Sequence, residues 1–496
     1  MAARAPPVLG FRGAMREALR SKTGLVGFAM LGFLMVVVIA VPFIAPVDLA
    51  RAWGSREHWV DNPNLAAPEW TEVFAGKKLP RTVIFAPCFT PDTVPFSNKN
   101  GPEACPTGQW TRIVVRIELF GNITYVTLIR RFSYTADVFP SELRLSSWAL
   151  FGQSASRVTV NWTRPDGTSL VVLESAPDKR APAANNYPLS QMPTVREKIR
   201  QWATSNLGAS DLDLVRIKPE VTLFAQAGPS MLDPSKAAVL KGDYTMKIEM
   251  VAFGAQAGLD VKMVIYGTVF GLAGTDDNRR DLVVGLLWGA PVALAFGTSA
   301  AVVIVLVQIV LGAIATWYGG YFDEVVQRST DLFLILPILP ILILIQIIYR
   351  LDIVLILLVL IAFGIFGSTT KIARSIVLQV KEEPYIEAAI SYGASRARIL
   401  FKHILPRLLP YTFALITLSV PGFIFLEASL SFLGVGDLTL PTWGRMLGDA
   451  YRGNSAFLGF WWWISFPAGG IVFATVAFSL LGYSFDKVLN PRLREE

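Results

Sequence analysis

The chain is 496 residues long, 53% hydrophobic and only 17% charged, with a mean hydropathy of +0.47. Soluble domains carry about a quarter charged residues; here the surplus apolar residues come in blocks, which excludes an ordinary soluble protein and points to a multi-pass membrane protein. The net charge of +7 does not signal nucleic acid, because the basic residues cluster beside apolar spans, where topology and anionic lipid account for them.

Residues 1–22 hold Arg4, Arg12, Arg16, Arg20 and Lys22 against one acid, Glu17. The apolar run that follows is longer than the ~7–15 residues of a signal-peptide core and long enough to span hydrocarbon. We therefore expect a cytoplasmic N-terminal segment and a first transmembrane helix at 23–46.

Residues 47–273 change character: charge, Pro, Asn and Thr return, and no stretch could span a membrane. Short alternating runs predict strands at 112–119, 124–135, 157–162, 169–173, 244–252 and 259–270, with a helix at 193–205. Pro165-Asp166-Gly167 predicts a hairpin turn. The expectation is a mostly β insert of unknown role. Asn122-Ile123-Thr124 and Asn161-Trp162-Thr163 fit the glycosylation tripeptide, which also arises by chance. Cys88 and Cys105, the chain's two cysteines, read either as a disulfide closing a short loop, if the insert is outside, or as two buried thiols. His58 and His403 are the two histidines, and neither lies near a ligand-spaced cluster, so no metal site is expected.

After an interfacial segment at 274–290, Pro291 is expected to open the second span, to about Trp317. Further spans are expected at 327–349, 353–373, 408–432 and 458–483, with a tail at 484–496. With the N-terminus inside, the short inner segments carry most of the Lys and Arg, whereas the short outer loops hold Arg350, Arg445 and Arg452. The positive-inside rule then puts both termini in the cytoplasm and the insert outside.

Between the fourth and fifth expected spans lies the polar stretch 381–407, which reads as two short helices with a bend. Glu382, Glu383 and Glu387 fall in the first. Ala388 and Ala389 are small enough for another backbone to approach. Gly393 suits a left-handed helix end. Ser395 is placed to cap a second helix carrying Arg396, Arg398 and Lys402, which Pro406 is expected to stop. From spacing alone the stretch reads equally well as a basic surface loop.

Glu387-Ala388-Ala389, Gly393 and Leu405-Pro406 in this order resemble the EAA loop of ABC importer permeases. The wider likeness runs from about Gly274 to Arg492, through Glu427-Ala428-Ser429-Leu430-Ser431-Phe432-Leu433-Gly434 and Pro441-Thr442-Trp443-Gly444. It is similar to the C-type permease subunit of dipeptide, oligopeptide and nickel importers. His403 replaces the Ile of the general motif, as the peptide-type subfamily tends to show. The large insert is a departure from the family. So is Arg279, where the family tends to have a glycine, which puts the tight turn expected there in doubt.

The resemblance implies an all-α polytopic membrane protein with six transmembrane helices in the ABC type-1 permease fold, the β-rich insert standing between helices 1 and 2 and the permease domain covering 291–483. It implies a prokaryotic cell membrane, a second homologous permease subunit in a heterodimer, two ATP-binding subunits and an extracytoplasmic substrate-binding protein. Glu387, Ala388, Ala389 and Gly393 would carry contact and bend on the ATPase; Arg396, Arg398 and Lys402 would meet its acidic groups or anionic headgroups. The substrate would be di- or oligopeptide, with oligosaccharide, nickel or opine as alternatives. No phosphate loop or catalytic triad occurs in the sequence, so no catalytic residue or cofactor is expected on this chain; ATP and magnesium would belong to the partner subunits. Intramembrane charge is costly: Asp331 and Lys371 are expected to pair, and Glu427 to bond backbone or line the pathway. Gln308 and Gln346 are expected to bond between helices, and Gly364, Gly367 and Ser368 to allow close packing. A membrane-anchored receptor using the β insert is the rival class, but it leaves the ordered permease motifs unexplained.

Overall fold

The computed structural model describes residues 11–89, 101–105, 108–117, 123–152, 156–180, 182–208, 214–253, 257–435 and 440–489. Asn122 of the first glycosylation tripeptide, Glu118 and Leu119 of the first predicted strand, and the tail beyond Leu489 lie outside the described residues. The chain forms two compact units, Arg56–Asp281 and the remainder.

In the β unit, alternating residues make strands because successive side chains point to opposite faces. A six-stranded antiparallel sheet has the order β2-β3-β4-β9-β6-β7, and a four-stranded one β1-β10-β5-β8. Their ranges are β1 Val83–Phe85, β2 Gly101–Ala104, β3 Thr111–Ile117, β4 Ile123–Tyr134, β5 Glu142–Leu150, β6 Arg157–Thr163, β7 Ser169–Ser175, β8 Asn185–Tyr187, β9 Gly242–Phe253 and β10 Gly258–Tyr266. One core joins both sheets, with Val126 and Leu128 of β4, Leu143 and Leu145 of β5 and Trp162 of β6 all buried in it. The Pro165–Gly167 turn is present, with Arg164 N bonded to Thr168 O and Gly167 at φ +81°. The helix Pro193–Leu207 packs along β7. Cys88 and Cys105 are bonded as a disulfide. Beside it, burial pushes the Asp260 carboxyl up, although it accepts the N–H groups of Cys88 and Phe89.

The unit's limits differ from the expected 47–273. Residues 47–54 form short turns that bury Trp53 in the other unit. Thr275, Asp276 and Arg280, expected to lie in an interfacial segment, are instead buried in the β unit. The tight turn survives without its glycine. Arg279 takes φ +64°, and its guanidinium donates to Asn62 O at 2.8 Å, pairs with Glu142 and lies 4.4 Å from the centroid of Tyr266.

The second unit is helical: α1 Lys22–Ile44, α2 Leu282–Tyr318, α3 Gly320–Ile335, α4 Ile338–Tyr349, α5 Ile353–Gly364, α6 Ser368–Lys381, α7 Pro384–Ser391, α8 Arg396–Phe432, α9 Trp443–Arg452 and α10 Trp461–Leu489. Among the described residues four helices are long and apolar enough to cross a membrane, or up to six if each bent pair is one span. The helix α2 begins at Leu282, so Pro291 lies inside it rather than opening it. Its small residues Gly285, Gly289, Ala293 and Gly297 recur every fourth position, on one face. That lets neighbours approach closely: a Cβ on Gly297 would stand 2.6 Å from Ile424 Cγ1.

The expected third span is two helices, α3 and α4, bent by 77° at Leu336-Pro337. Proline both removes an N–H and clashes with the preceding turn. The expected fourth span likewise bends by 42° between α5 and α6. Gln308 crosses to that break, donating to Gly364 O at 2.5 Å. Gln346 does not bond between helices; it donates to Leu351 O just past the end of its own helix.

Candidate functional site at the 381–407 elbow

The helix α6 brings the chain to the elbow, and Lys381 fixes its end by donating to Thr316 O while lying 5.6 Å from the Trp317 ring centroid. Pro384 opens α7, where its missing N–H costs nothing. Glu387 sits in the first turn, the end of a helix that favours negative charge. Ile386, almost fully buried, anchors α7 in a cluster with Ile399, Leu400 and Ile404 of α8 and Val377 of α6.

A Schellman motif ends α7. Gly393 takes φ +76°, Ala394 N donates to Ala389 O at 3.0 Å, and Gly393 N donates to Ile390 O at 2.9 Å. These bonds satisfy carbonyls that the helix end would otherwise orphan. The hydroxyl of Ser395 then accepts from Arg398 N, starting α8, and Trp317 Nε1 holds Arg396 O at 3.0 Å.

Pro406 does not stop this second helix. One π turn, Leu400–Ile404, precedes it, and the α-helix resumes at Leu405. Pro406 and Pro410 offer no N–H to the carbonyls behind them, and a wider turn is one way a helix absorbs such a mismatch.

Folding sorts the expected residues. Glu387, Ala388, Gly393, Arg396, Arg398 and Lys402 are exposed, whereas Ala389 is half-buried against the elbow's own core. Among the described residues, no ion pair holds Glu387, Arg396, Arg398 or Lys402. Tyr392 is 92% exposed, Phe401 62% and Ile390 55%, so large apolar side chains are exposed in the same stretch as the charged ones. Sequence reading missed these three; their signal was apolar side chains flanking a glycine in an otherwise polar stretch. Arg407 braces the base, 3.3 Å from Glu383 and from the Tyr385 hydroxyl.

Lys371 Nζ bonds to Asp331 across α6 and α3. A second pair was not anticipated: Arg374 donates from Nε and Nη2 to Asp323 Oδ2 at 3.0 and 2.9 Å. Arg374 is one turn beyond Lys371 and Asp323 two turns before Asp331, so helical spacing carried the signal. Both pairs line a polar cleft of about 460 Å³ with Glu324, Gln327 and Arg328.

Glu427 is buried in α8 and accepts the Ser431 hydroxyl at 2.7 Å, one turn on. Beside it, Gly444 of α9 lies against the Ala428 backbone so closely that a Cβ there would collide with it. Among the described residues, no group of three His, Cys, Asp or Glu could hold a metal ion.

Residues 308–495 match the family model for the binding-protein-dependent transport system inner membrane component. The chain is 34% identical over 225 residues to the oligopeptide transport system permease protein OppC of Bacillus subtilis, covering 45% of this chain and 72% of that protein. It is 33% identical over 222 residues to the dipeptide transport system permease protein DppC of the same organism, 45% and 68% covered. To OppC of Haemophilus influenzae it is 31% identical over 222 residues, 45% and 70% covered. With apolar helices of spanning length and more than two thirds of these permeases matched, the chain belongs to the family of binding-protein-dependent ABC transport permeases, multi-pass membrane proteins that work with a separate ATPase.

Proposed function

We propose that this chain forms half of the translocation pathway of an ABC importer for di- or oligopeptides and couples to an ATPase through the elbow of α7 and α8. The observation that carries this reading is the elbow itself. Around its Schellman turn Tyr392, Ile390 and Phe401 are exposed, as are Arg396, Arg398 and Lys402. A surface loop with no partner has little reason to expose three large apolar side chains within one short polar stretch. The peptide class follows the oligopeptide and dipeptide permeases to which the chain is similar.

In this reading each bent pair counts as one span, giving six, with both termini cytoplasmic and the β unit outside. A second permease completes the pathway. Two ATP-binding subunits hold ATP and magnesium, and a binding protein delivers substrate. The paired Asp331 and Lys371 hold helices together rather than touch substrate, and this chain contributes no catalytic group.

Mild-detergent purification of the tagged chain from its native host tests the reading. Expected companions are a second permease and P-loop ATPases, with the ATPases lost from the Gly393→Pro variant. Recovery of the chain alone, under several mild conditions, would move the function to the β unit and to a receptor role.

A further inference from the structure

The short helical stretch at 69–75 is amphipathic in an inverted sense. Trp70, Val73 and Phe74 share one side of it at three- and four-residue spacing, and that side faces outward. Their exposures are 41%, 80% and 81%, and Leu272, beside them, is 73% exposed. The patch is built rather than frayed. Trp70 Nε1 donates to Leu272 O at 2.9 Å, and the Trp70 and Phe74 rings meet edge to face at 6.2 Å. The neighbouring carboxylates are turned to other partners: Arg81 lies 3.4 Å from Glu69 and 3.9 Å from Glu72, and Glu69 also accepts Gly271 N. Lys77, three residues beyond Phe74, is exposed; Lys78 is exposed too, with its Nζ donating to Thr135 Oγ1 at 2.8 Å.

Chain connectivity says where this patch lies. Asp281, the last residue of the β unit, pairs with Thr275, and Leu272 is three residues from Thr275. Leu272 is therefore within roughly 15 Å of Asp281, the residue before the apolar helix α2, at ~3.3 Å per residue plus one strand-pair spacing. A tryptophan-bearing apolar face followed by an exposed lysine, so tethered, has the composition of an interfacial anchor.

We propose that Trp70, Val73, Phe74 and Leu272 insert into the headgroup region of the bilayer and hold the β unit to the membrane surface. The occupant is lipid, with anionic headgroups favoured by Lys77. This requires only that the chain spans the membrane; it is independent of which substrate is carried and of whether the elbow binds an ATPase.

The test uses the full chain in vesicles of phosphatidylethanolamine and phosphatidylglycerol. Both native cysteines are in the disulfide, so Phe74→Cys accepts a single environment-sensitive fluorophore. Val215→Cys, at a position of the same unit that is 76% exposed, is the reference. Shallow doxyl-labelled lipid is expected to quench the label at 74 severalfold more than the label at 215, with iodide doing the reverse. Iodide access at 74 equal to that at 215, without lipid quenching, overturns the proposal. Shielding of 74 from both quenchers overturns it too, since protein would then cover the patch. Leu272→Cys, on the other arm, gives an independent label should Phe74→Cys fold poorly.

Discussion

Ala394 donates its backbone N–H to the carbonyl of Ala389 at 3.0 Å, across a left-handed Gly393. That one bond explains two letters of the family motif without reference to a partner. The glycine permits the turn, and a small residue at 389 lets the turn close against the elbow core. In the proposed reading, contact with the ATPase falls instead to the exposed Tyr392.

Gly393→Ala places a side chain at a left-handed φ, a cost of about 1–2 kcal/mol, with no steric penalty because a Cβ there meets nothing within 4 Å. Gly393→Pro also removes the N–H donated to Ile390 O, and a cost of about 3 kcal/mol or more is expected. ATPase retention should therefore fall in steps from wild type through Ala to Pro. Tyr392→Ala should lose the ATPase with no change in melting temperature; a lowered melting point would assign Tyr392 to the fold instead.

The Asp331 and Lys371 pair joins α3 to α6. Lys371→Asp alone sets two carboxylates face to face, and transport in proteoliposomes should drop sharply. Adding Asp331→Lys restores opposite charges and should recover most of that loss. No recovery in the double variant would separate the two residues functionally.

Arg279 combines a strained backbone with three side-chain attachments. Arg279→Ala keeps the strain and loses the attachments, so a destabilisation of about 2–3 kcal/mol is expected, in the range for breaking a buried network. Arg279→Gly loses the same contacts but relieves about 1 kcal/mol of left-handed strain, and should be the milder of the two. Protease nicking of the β unit during thermal unfolding measures both.

Burial pushes the Asp276 carboxyl up to about 6, against the pull of Arg280. A folded value above the unfolded 3.8 means that the folded state holds the proton more tightly. The stability linked to this proton is fully present below 3.8 and is lost as pH rises through about 6. Asp276→Asn should flatten that pH dependence of β-unit unfolding; a slope unchanged in the variant would assign it to another group.

Much of the fold was legible because its signals are local. The alternation in β4 and β9, the turn at Pro165–Gly167 and the glycine at 393 are each decided within a few residues. The strand β5 was not, although it is central to its sheet, because Leu143 and Leu145 give way to Ser147 and Ala149, whose burial depends on β10 and β8. The bent spans were hidden for the opposite reason. An apolar run through Leu336-Pro337 satisfies any hydropathy window, and only the proline marks the 77° change of direction. At the elbow, the same residue type misled: Pro406 looked like a stop, but a π turn just before it lets the helix run on.

The uninterrupted passage through that π turn bears on the coupling proposed for the elbow. Arg396 and Phe432 are the two ends of one 37-residue helix, about 55 Å long at 1.5 Å per residue. Pro410 and Pro421 lie inside it, yet helix continues on both sides of each. In the proposed importer a displacement applied beside Tyr392 would pass along this one helix, whose far part bears Glu427 and the Ala428 backbone on which Gly444 rests.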